Sequence, residues 1–450
     1  MTHDETAPDR AGSLILSENK RLRLLAMFLF YFAQGVPMGL FMFAIPIWLV
    51  ASGAPAKDVG HVVAMTALPW SLKIIDGFII DRFTMIAMGR RRMWIIIAQL
   101  IIAIMLVGAA ALQPTAADVS LLAAIGFVTG FATAFQDVAV DSLAVDIMPE
   151  AERTRASSIM FSGQLIGISA TTAIAGRLIP GAGPAAAYLL AAFLIGLIVL
   201  FAIIVRERPG EKLLPWTRGA ASPVNLAVRA ERWGPILGNT LRAITRWQSL
   251  IYLPCILTKG IQFGFMTGAT PLLAKNWVGW DTAQITSVSG TGEFVAGLIA
   301  LFIGGWLGEK LGERRMAITF FGVWLIFDAL ILFAIPLRET GWYPPIMAGG
   351  WFALDSMLSI GLIAIAMRLC NRTVAATQFT LYMAAANFGT ALGAKLFGMA
   401  TGAADVERLM LIVMGLDALG IVILLAVKMT APPENAVMED DAGGLRGISR

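Results

Sequence analysis

Uninterrupted apolar stretches, repeated along the whole chain, dictate what it can become. The run from Met93 to Leu112 alone has the length that crosses a bilayer, roughly 20 residues as a helix. Only 14% of the 450 residues are charged and 58% are hydrophobic. A soluble domain carries about 25% charged residues, too many more for this composition to solvate a globule of comparable size. Backbone N–H and C=O groups in lipid must be satisfied within each segment, so the runs read as helices. Short alternating strands of a β-barrel are absent from the sequence.

Twelve helices are expected. Six lie at 23–51, 58–80, 93–112, 119–147, 155–178 and 185–205, and six at 248–274, 282–307, 315–337, 344–368, 374–400 and 406–428. The fold class is therefore an all-α integral membrane protein with two six-helix bundles. The corresponding division is an N-terminal segment 1–22, a first bundle 23–205, a linker 206–247, a second bundle 248–428 and a tail 429–450. Residues 1–20 are polar and lack the apolar core of a cleaved signal peptide. Basic residues crowd the alternate loops: Arg82 and Arg90 to Arg92, Arg153 and Arg155, Lys310, Arg314 and Arg315, Arg368 and Arg372. The loops between them hold few, among them Lys57, Arg177, Lys275, Arg338 and Arg408. By the positive-inside rule the basic loops, both termini and the linker face the cytoplasm of a bacterial-type inner membrane. The second part of the linker, with Arg229, Arg232, Arg242 and Arg246, suits a short interfacial helix against anionic lipid.

Several function classes lose support. The net charge of +4 is accounted for by helix orientation, so nucleic acid is not an expected partner. Cys255 and Cys370 have no zinc spacing, and His3 and His61 are far apart. There is no nucleophile motif or phosphate-binding glycine loop, so an integral-membrane enzyme or a nucleotide-driven pump is disfavoured, and no cofactor or metal is expected. A receptor or scaffold stays open.

The two halves repeat. The loop after the second helix reads Gly77-Phe-Ile-Ile-Asp81-Arg82, then Gly89-Arg90-Arg91-Arg92. The loop after the eighth reads Gly305-Trp-Leu-Gly-Glu309-Lys310-Leu-Gly-Glu313-Arg314-Arg315. Internal repeats of this kind typify secondary transporters. Both segments resemble the signature loop of the major facilitator superfamily, G-x-L-x-D-R-x-G-R-R; the first copy has extra residues between Arg82 and Gly89. Physically they suit a gate at the cytoplasmic face, where an acid ends one helix, pairs with arginines and faces a helix N-terminus of the other half. Asp81, Arg82, Arg90, Asp146, Glu309, Lys310 and Arg314 are its candidates.

A narrower resemblance follows from Gln34-Gly-Val-Pro37, Lys73, Gln136-Asp137-Val-Ala-Val-Asp141, Asp146-Ile-Met-Pro149-Glu150, Leu369-Cys-Asn-Arg372 and Ala376-Thr-Gln-Phe379. These resemble AmpG-type muropeptide permeases, a branch that also holds acetyl-coenzyme A transporters and relatives linked to siderophore uptake. Ala144 stands where that pattern has a lysine, and Asp76 where it has a bulky apolar residue. The resemblance implies a secondary active transporter for a small polar or anionic solute, a muropeptide or alternatively a siderophore or other metabolite. It also implies alternating access and a monomer whose partners are substrate, protons and lipid.

Charged groups inside membrane helices are costly and face a cavity or each other. Asp137 and Asp141 are four apart on one helix face. With Lys73, counted to a similar depth as Asp141, they are the proton-coupling candidates; a permanent ion pair locking two helices is the alternative. Helices 1, 4, 7 and 10 line the central cavity in the resembled fold, which makes Tyr31, Gln34, Lys259, Gln262 and Asp355 substrate-binding candidates; Glu293 of the eighth helix, also near mid-membrane, joins them. Lys259 either meets an anionic substrate or neutralises Glu293 or Asp355. Asp328, Lys395 and Asp417 have no assigned role. The pairs Gly163–Gly167 and Gly389–Gly393 suit close helix packing.

Overall fold

The computed structural model describes residues 14–426 except 229–232, 281, 335–336, 338, 398 and 400–402. His3, Arg229, Arg232, Arg338 and the expected tail 429–450 lie outside the described residues. Among the described residues, twelve helices of membrane-crossing length form two bundles of six. The first bundle holds α1 (Lys20–Leu49), α2 (His61–Arg82), α3 (Arg92–Leu112) and α4 (Val119–Ile147). The helical run Arg153–Ile204 then breaks at Gly183, with φ 76° and ψ 169°, into α5 (153–182) and α6 (184–204). The second bundle holds α7 (Trp247–Val278), α8 (Ser287–Leu311), α9 (Glu313–Phe333) and α10 (Tyr343–Leu369), then α11 (Ala375–Phe397) and α12 (Ala403–Ala426).

The fifth helix runs past its expected end at residue 178, because Pro180 is carried within the last turn and only Gly183 leaves the helical region. A second irregularity matters more. Inside α2, residues Leu68–Leu72 tighten into a 3-10 turn beginning at Leu68-Pro69, and Lys73 is where the α-helix resumes. Proline has no N–H for the helical ladder, so the turn around it yields.

Burial follows position. In α4 every residue from Gln136 to Ile147 is buried, which is the pattern of a helix enclosed on all sides. By contrast α3 exposes Ile97, Leu100, Ile101, Ile104 and Val107, and α6 exposes Leu189, Phe193, Leu197 and Leu200. Such continuous apolar faces would aggregate in water and suit lipid. Lipid tails are as apolar as leucine, so close packing holds such helices together. The expected glycine pairs supply it in both halves. Gly163 and Gly167 of α5 abut the carbonyls of Phe28 and Phe32 in α1, and Gly389 and Gly393 of α11 abut those of Leu257 and Ile261 in α7.

At the end carrying the arginine clusters, here termed the basic end, the segment after α6 is bound tightly. Glu207 accepts hydrogen bonds from the backbone N–H groups of Arg90, Arg91 and Arg92 at 2.7, 2.7 and 2.5 Å. These are the unsatisfied donors at the start of α3, where a negative charge is favoured. Gly89, at φ 100°, lets the carboxylate in; a Cβ there would stand 2.6 Å from Glu207 Cδ. Next to it Glu211 accepts from Arg208 N at 3.0 Å and Asn225 Nδ2 at 2.8 Å. Burial, with the neighbouring Glu207 adding to it, pushes the Glu211 carboxyl up to about 8 from 4.5. A carboxyl whose folded value lies above the unfolded one binds its proton more tightly in the folded chain. Its stabilising contribution is therefore complete at pH below about 4.5 and is lost as pH rises through about 8. The melting temperature of the detergent-solubilised protein is expected to fall across that window, and to fall less in Glu211→Gln. Equal slopes in the two proteins would remove Glu211 from the account.

The helix Trp233–Thr245 crosses the same end. It buries Ile236 and Ala243 against Val374 and Phe78, so it touches α2 and the entry to α11. Leu237 and Leu241 remain exposed.

Candidate functional site

A cavity of about 190 Å³ opens between the two halves. Tyr31, Trp70, Lys73, Asp137, Asp141 and Gln164 line it from the first half, and Lys259, Ser359 and Asn387 from the second. A larger cavity, about 380 Å³, lies within the first half at the opposite end, beside Trp48, Gln113, Thr115 and Pro184, and has no charged lining.

Lys73 leaves α2 just after the 3-10 turn, lies 4.6 Å from the Trp70 ring centroid and forms an ion pair with Asp137. The Tyr31 hydroxyl donates to Asp141. The expected pairing of Lys73 with Asp141 is thus replaced by Lys73–Asp137. α2 and α4 run in the same direction, and side chains lean toward the N-terminus of their helix. The lysine accordingly reaches the carboxylate one turn earlier on α4 than a comparison of depths suggests. Asp76, one turn beyond Lys73, is fully buried, and neither of its oxygens has a hydrogen-bond partner among the described residues.

In the second half Lys259 Nζ stands 3.0 Å from Asp355 Oδ1, the neutralising alternative, while still lining the cavity. Gln34 lies behind the wall, its Oε1 accepting from the lining Gln164 at 3.1 Å. Gln262 turns away, donating to Asp328 of α9 at 2.7 Å. Glu293 is half-buried on α8, outside the lining. The structure therefore brings together Tyr31, Lys73, Asp137, Asp141, Lys259 and Asp355, and leaves Gln34, Gln262 and Glu293 around them.

At the basic end a buried network links the two halves. Asp81 pairs with Arg91 at 2.8 Å and Arg90 at 3.5 Å, and Asp146 with the same arginines at 3.1 and 3.3 Å. Asp81 Oδ2 also accepts from the N–H and the hydroxyl of Thr377, both at 2.9 Å. Thr377 is in the first turn of α11, so an acid from the first half meets a helix N-terminus of the second. Arg90 donates to the carbonyls of Arg372 and Thr373. The repeat-related Glu309 meets Arg155 in the first turn of α5 at 3.2 Å. Arg368 bridges Glu313 and, across the halves, Glu150. The Ser158 hydroxyl donates to the Ala300 carbonyl.

Three of the candidates for this closure do other work. Arg82 lies against the Phe83 ring at 5.0 Å, Lys310 over Trp306 at 5.1 Å, and Arg314 donates to the carbonyls of Leu424 and Leu425 at the end of α12. Arg91, Thr377, Arg368 and Glu150 were not among the candidates. Thr377 stood in a quoted motif, but a run of three arginines does not say which of them turns inward.

A sequence profile of the Major Facilitator Superfamily matches residues 24–292. The anhydromuropeptide permease of Escherichia coli (strain K12) is 23% identical over 404 residues, covering 89% of this chain and 78% of that protein. The putative transporter AmpG 4 of Rickettsia conorii is 25% identical over 435 residues, covering 91% and 98%. Among solved structures, the superfamily transporter FucP in its outward conformation superposes with a TM-score of 0.66 at 13% identity, covering 90% of this chain and 98% of its own. A bacterial homologue of the iron transporter ferroportin gives 0.61 at 12% identity, with 90% and 98% coverage. Two six-helix halves around a charged cavity, and the profile match over more than half the sequence, lead to one conclusion: the chain belongs to the Major Facilitator Superfamily of membrane transporters, with AmpG-like permeases among its relatives.

Proposed function

We propose that the protein is a secondary active transporter that moves a small polar or anionic solute across the membrane by alternating access, driven by protons. The observation that carries the reading is the charge count of the cavity. In the first half one lysine serves two carboxylates on one face of α4: Lys73 is paired with Asp137, and Asp141 is held by the neutral Tyr31. In a water-poor site the missing positive charge is restored by binding a proton. The closed network at Asp81 and Arg90 supports a cavity shut at the basic end, which by the positive-inside rule faces the cytoplasm. Lys259, neutralised by Asp355 until a solute arrives, offers an anionic group a partner. Lys73 and Asp137, Tyr31 and Asp141 then form the coupling side of the cavity, and Lys259, Ser359 and Asn387 its solute side.

An anhydromuropeptide, the cargo named for the Escherichia coli relative, is the first solute to test. In proteoliposomes containing the purified protein, a pH gradient with the acid side outside is expected to drive its accumulation, and a protonophore to abolish it. Exchange between labelled and unlabelled solute needs no gradient and is expected to persist. Accumulation that ignores the gradient would sink the proton coupling; neither accumulation nor exchange would sink this cargo.

A further inference from the structure

Away from the cavity, the second half buries two more carboxylates. Asp328 of α9 and Asp417 of α12 are both 0% exposed, as is Gln262 of α7. Gln262 Nε2 donates to Asp328 Oδ2 at 2.7 Å. The other oxygen of Asp328, both oxygens of Asp417 and Gln262 Oε1 have no hydrogen-bond partner among the described residues. The amide cannot turn over to relieve this, since its oxygen would then face the carboxylate.

Helix register brings the two acids together. α9 and α12 run antiparallel, Arg314 of α9 reaches the carbonyls of Leu424 and Leu425, and Gly420 packs on the Phe321 ring. One turn further on, Asp417 comes level with Trp324, and Asp328 is one turn beyond on α9. The Trp324 indole N–H is buried and has no partner among the described residues.

Among the described residues, nothing on the neighbouring helices neutralises the pair. Lys259, one turn from Gln262 on α7, is committed to Asp355 of α10. The Cys255 thiol of α7 faces the carbonyls of Ile251 and Gly420. The Tyr343 hydroxyl of α10 donates to the Leu330 carbonyl. Arg314 is engaged with α12 carbonyls at the basic end, and Lys395 is exposed near the far end of α11. Two buried carboxylates one helical turn apart inside a membrane bundle require a positive ion.

We infer that Asp328, Asp417 and Gln262 form a monovalent-cation site between α7, α9 and α12, separate from the central cavity, and that its occupant is a proton taken up by the carboxylate pair. The oxygens left unpartnered are the donor set such an ion takes. Gln262 lies three residues from Lys259 on α7, so loading of this site acts on the helix that carries the cavity lysine. The site does not depend on the proposed coupling at α4.

The test is infrared difference spectroscopy on the full-length protein in lipid nanodiscs, titrated from acid to alkaline pH in potassium and in sodium buffers. A protonated carboxylic acid has a C=O stretching band that a carboxylate lacks. The expected result is a band present at neutral pH in the parent, missing from Asp417→Asn and Asp328→Asn, and unmoved by sodium. A band that appears only when sodium is withdrawn overturns the proton as occupant. Identical carbonyl spectra in the parent and both variants overturn the site. Gln262→Met guards against variants that fail to fold, because it removes the one hydrogen bond to Asp328 among the described residues and leaves both acids. It is expected to shift the band, and an unshifted band overturns the arrangement.

Discussion

Asp81→Asn is expected to open the basic end, whereas Glu309→Gln is expected barely to disturb it. The two acids occupy equivalent places in the repeated loops, but their surroundings differ. Asp81 has a side-chain exposure of 0% between two arginines that are 2% and 0% exposed, and it holds Thr377 of the other half. Removing one partner from such a buried network costs about 3–5 kcal/mol. On the proposed alternating-access cycle, part of that loss falls on both conformations, since Asp81, Arg90, Arg91 and Asp146 belong to one half. The part that favours closure is the contact with α11, and a shift of even ~1.4 kcal/mol there changes the closed-to-open ratio about tenfold. The Glu309–Arg155 pair is 31% and 38% exposed, and exposed pairs contribute roughly 0–1 kcal/mol. The measurement is the labelling rate of a cysteine placed at Ser359, in the cavity wall, by a membrane-impermeant reagent applied from the basic end. A rise of about tenfold in Asp81→Asn with little change in Glu309→Gln is expected. Equal rates in both variants would mean that the two loops are equivalent after all and that burial does not decide the closure.

That asymmetry also marks the limit of what the sequence could say. The apolar runs, the alternation of basic loops and the two related motifs were enough to place twelve helices, because each is a local property of the chain. The eleventh helix, Ala375–Phe397, was legible although Thr377, Gln378, Thr380 and Asn387 make it more polar than its neighbours. Its first turns are buried among partners rather than set against lipid: Thr377 meets Asp81, and Gln378 bonds to the backbone at Asn371 and Leu369. Which charged groups meet was less legible, because pairing depends on side-chain direction and on distant segments. Depth counting put Lys73 opposite Asp141, but the lean of the lysine selects Asp137. Glu207 caps α3 from 115 residues away, and no spacing rule reaches that far. Asp328 and Asp417 stood out as costly residues without roles, and only the register of α9 against α12 set them within a helical turn of each other.

Asp141→Asn is expected to abolish accumulation against a gradient and to spare exchange. Asparagine keeps the volume of the side chain and can still accept the hydrogen bond from Tyr31, so the wall of the cavity is retained. What is lost is the only change of charge available to that position. A pH difference of one unit supplies about 1.4 kcal/mol for each proton carried, enough for a roughly tenfold accumulation ratio at one proton per solute. Without the proton the ratio falls to about 1, because the carrier then only equilibrates the solute. Asp137→Asn has a milder expected effect. It frees Lys73, which has Asp76 three residues along its own helix and Asp141 one turn along α4 as remaining partners. A lysine captured by Asp141 would hold that carboxylate charged and slow the cycle without removing the titrating group. The order expected in proteoliposomes is therefore parent, then Asp137→Asn, then Asp141→Asn, for accumulation under an imposed pH gradient, beside near-equal exchange without one. Full gradient-driven accumulation by both single variants and by the double variant would exclude this pair as the proton site, and would turn attention to Asp76, the buried acid beside Lys73 whose oxygens have no partner among the described residues.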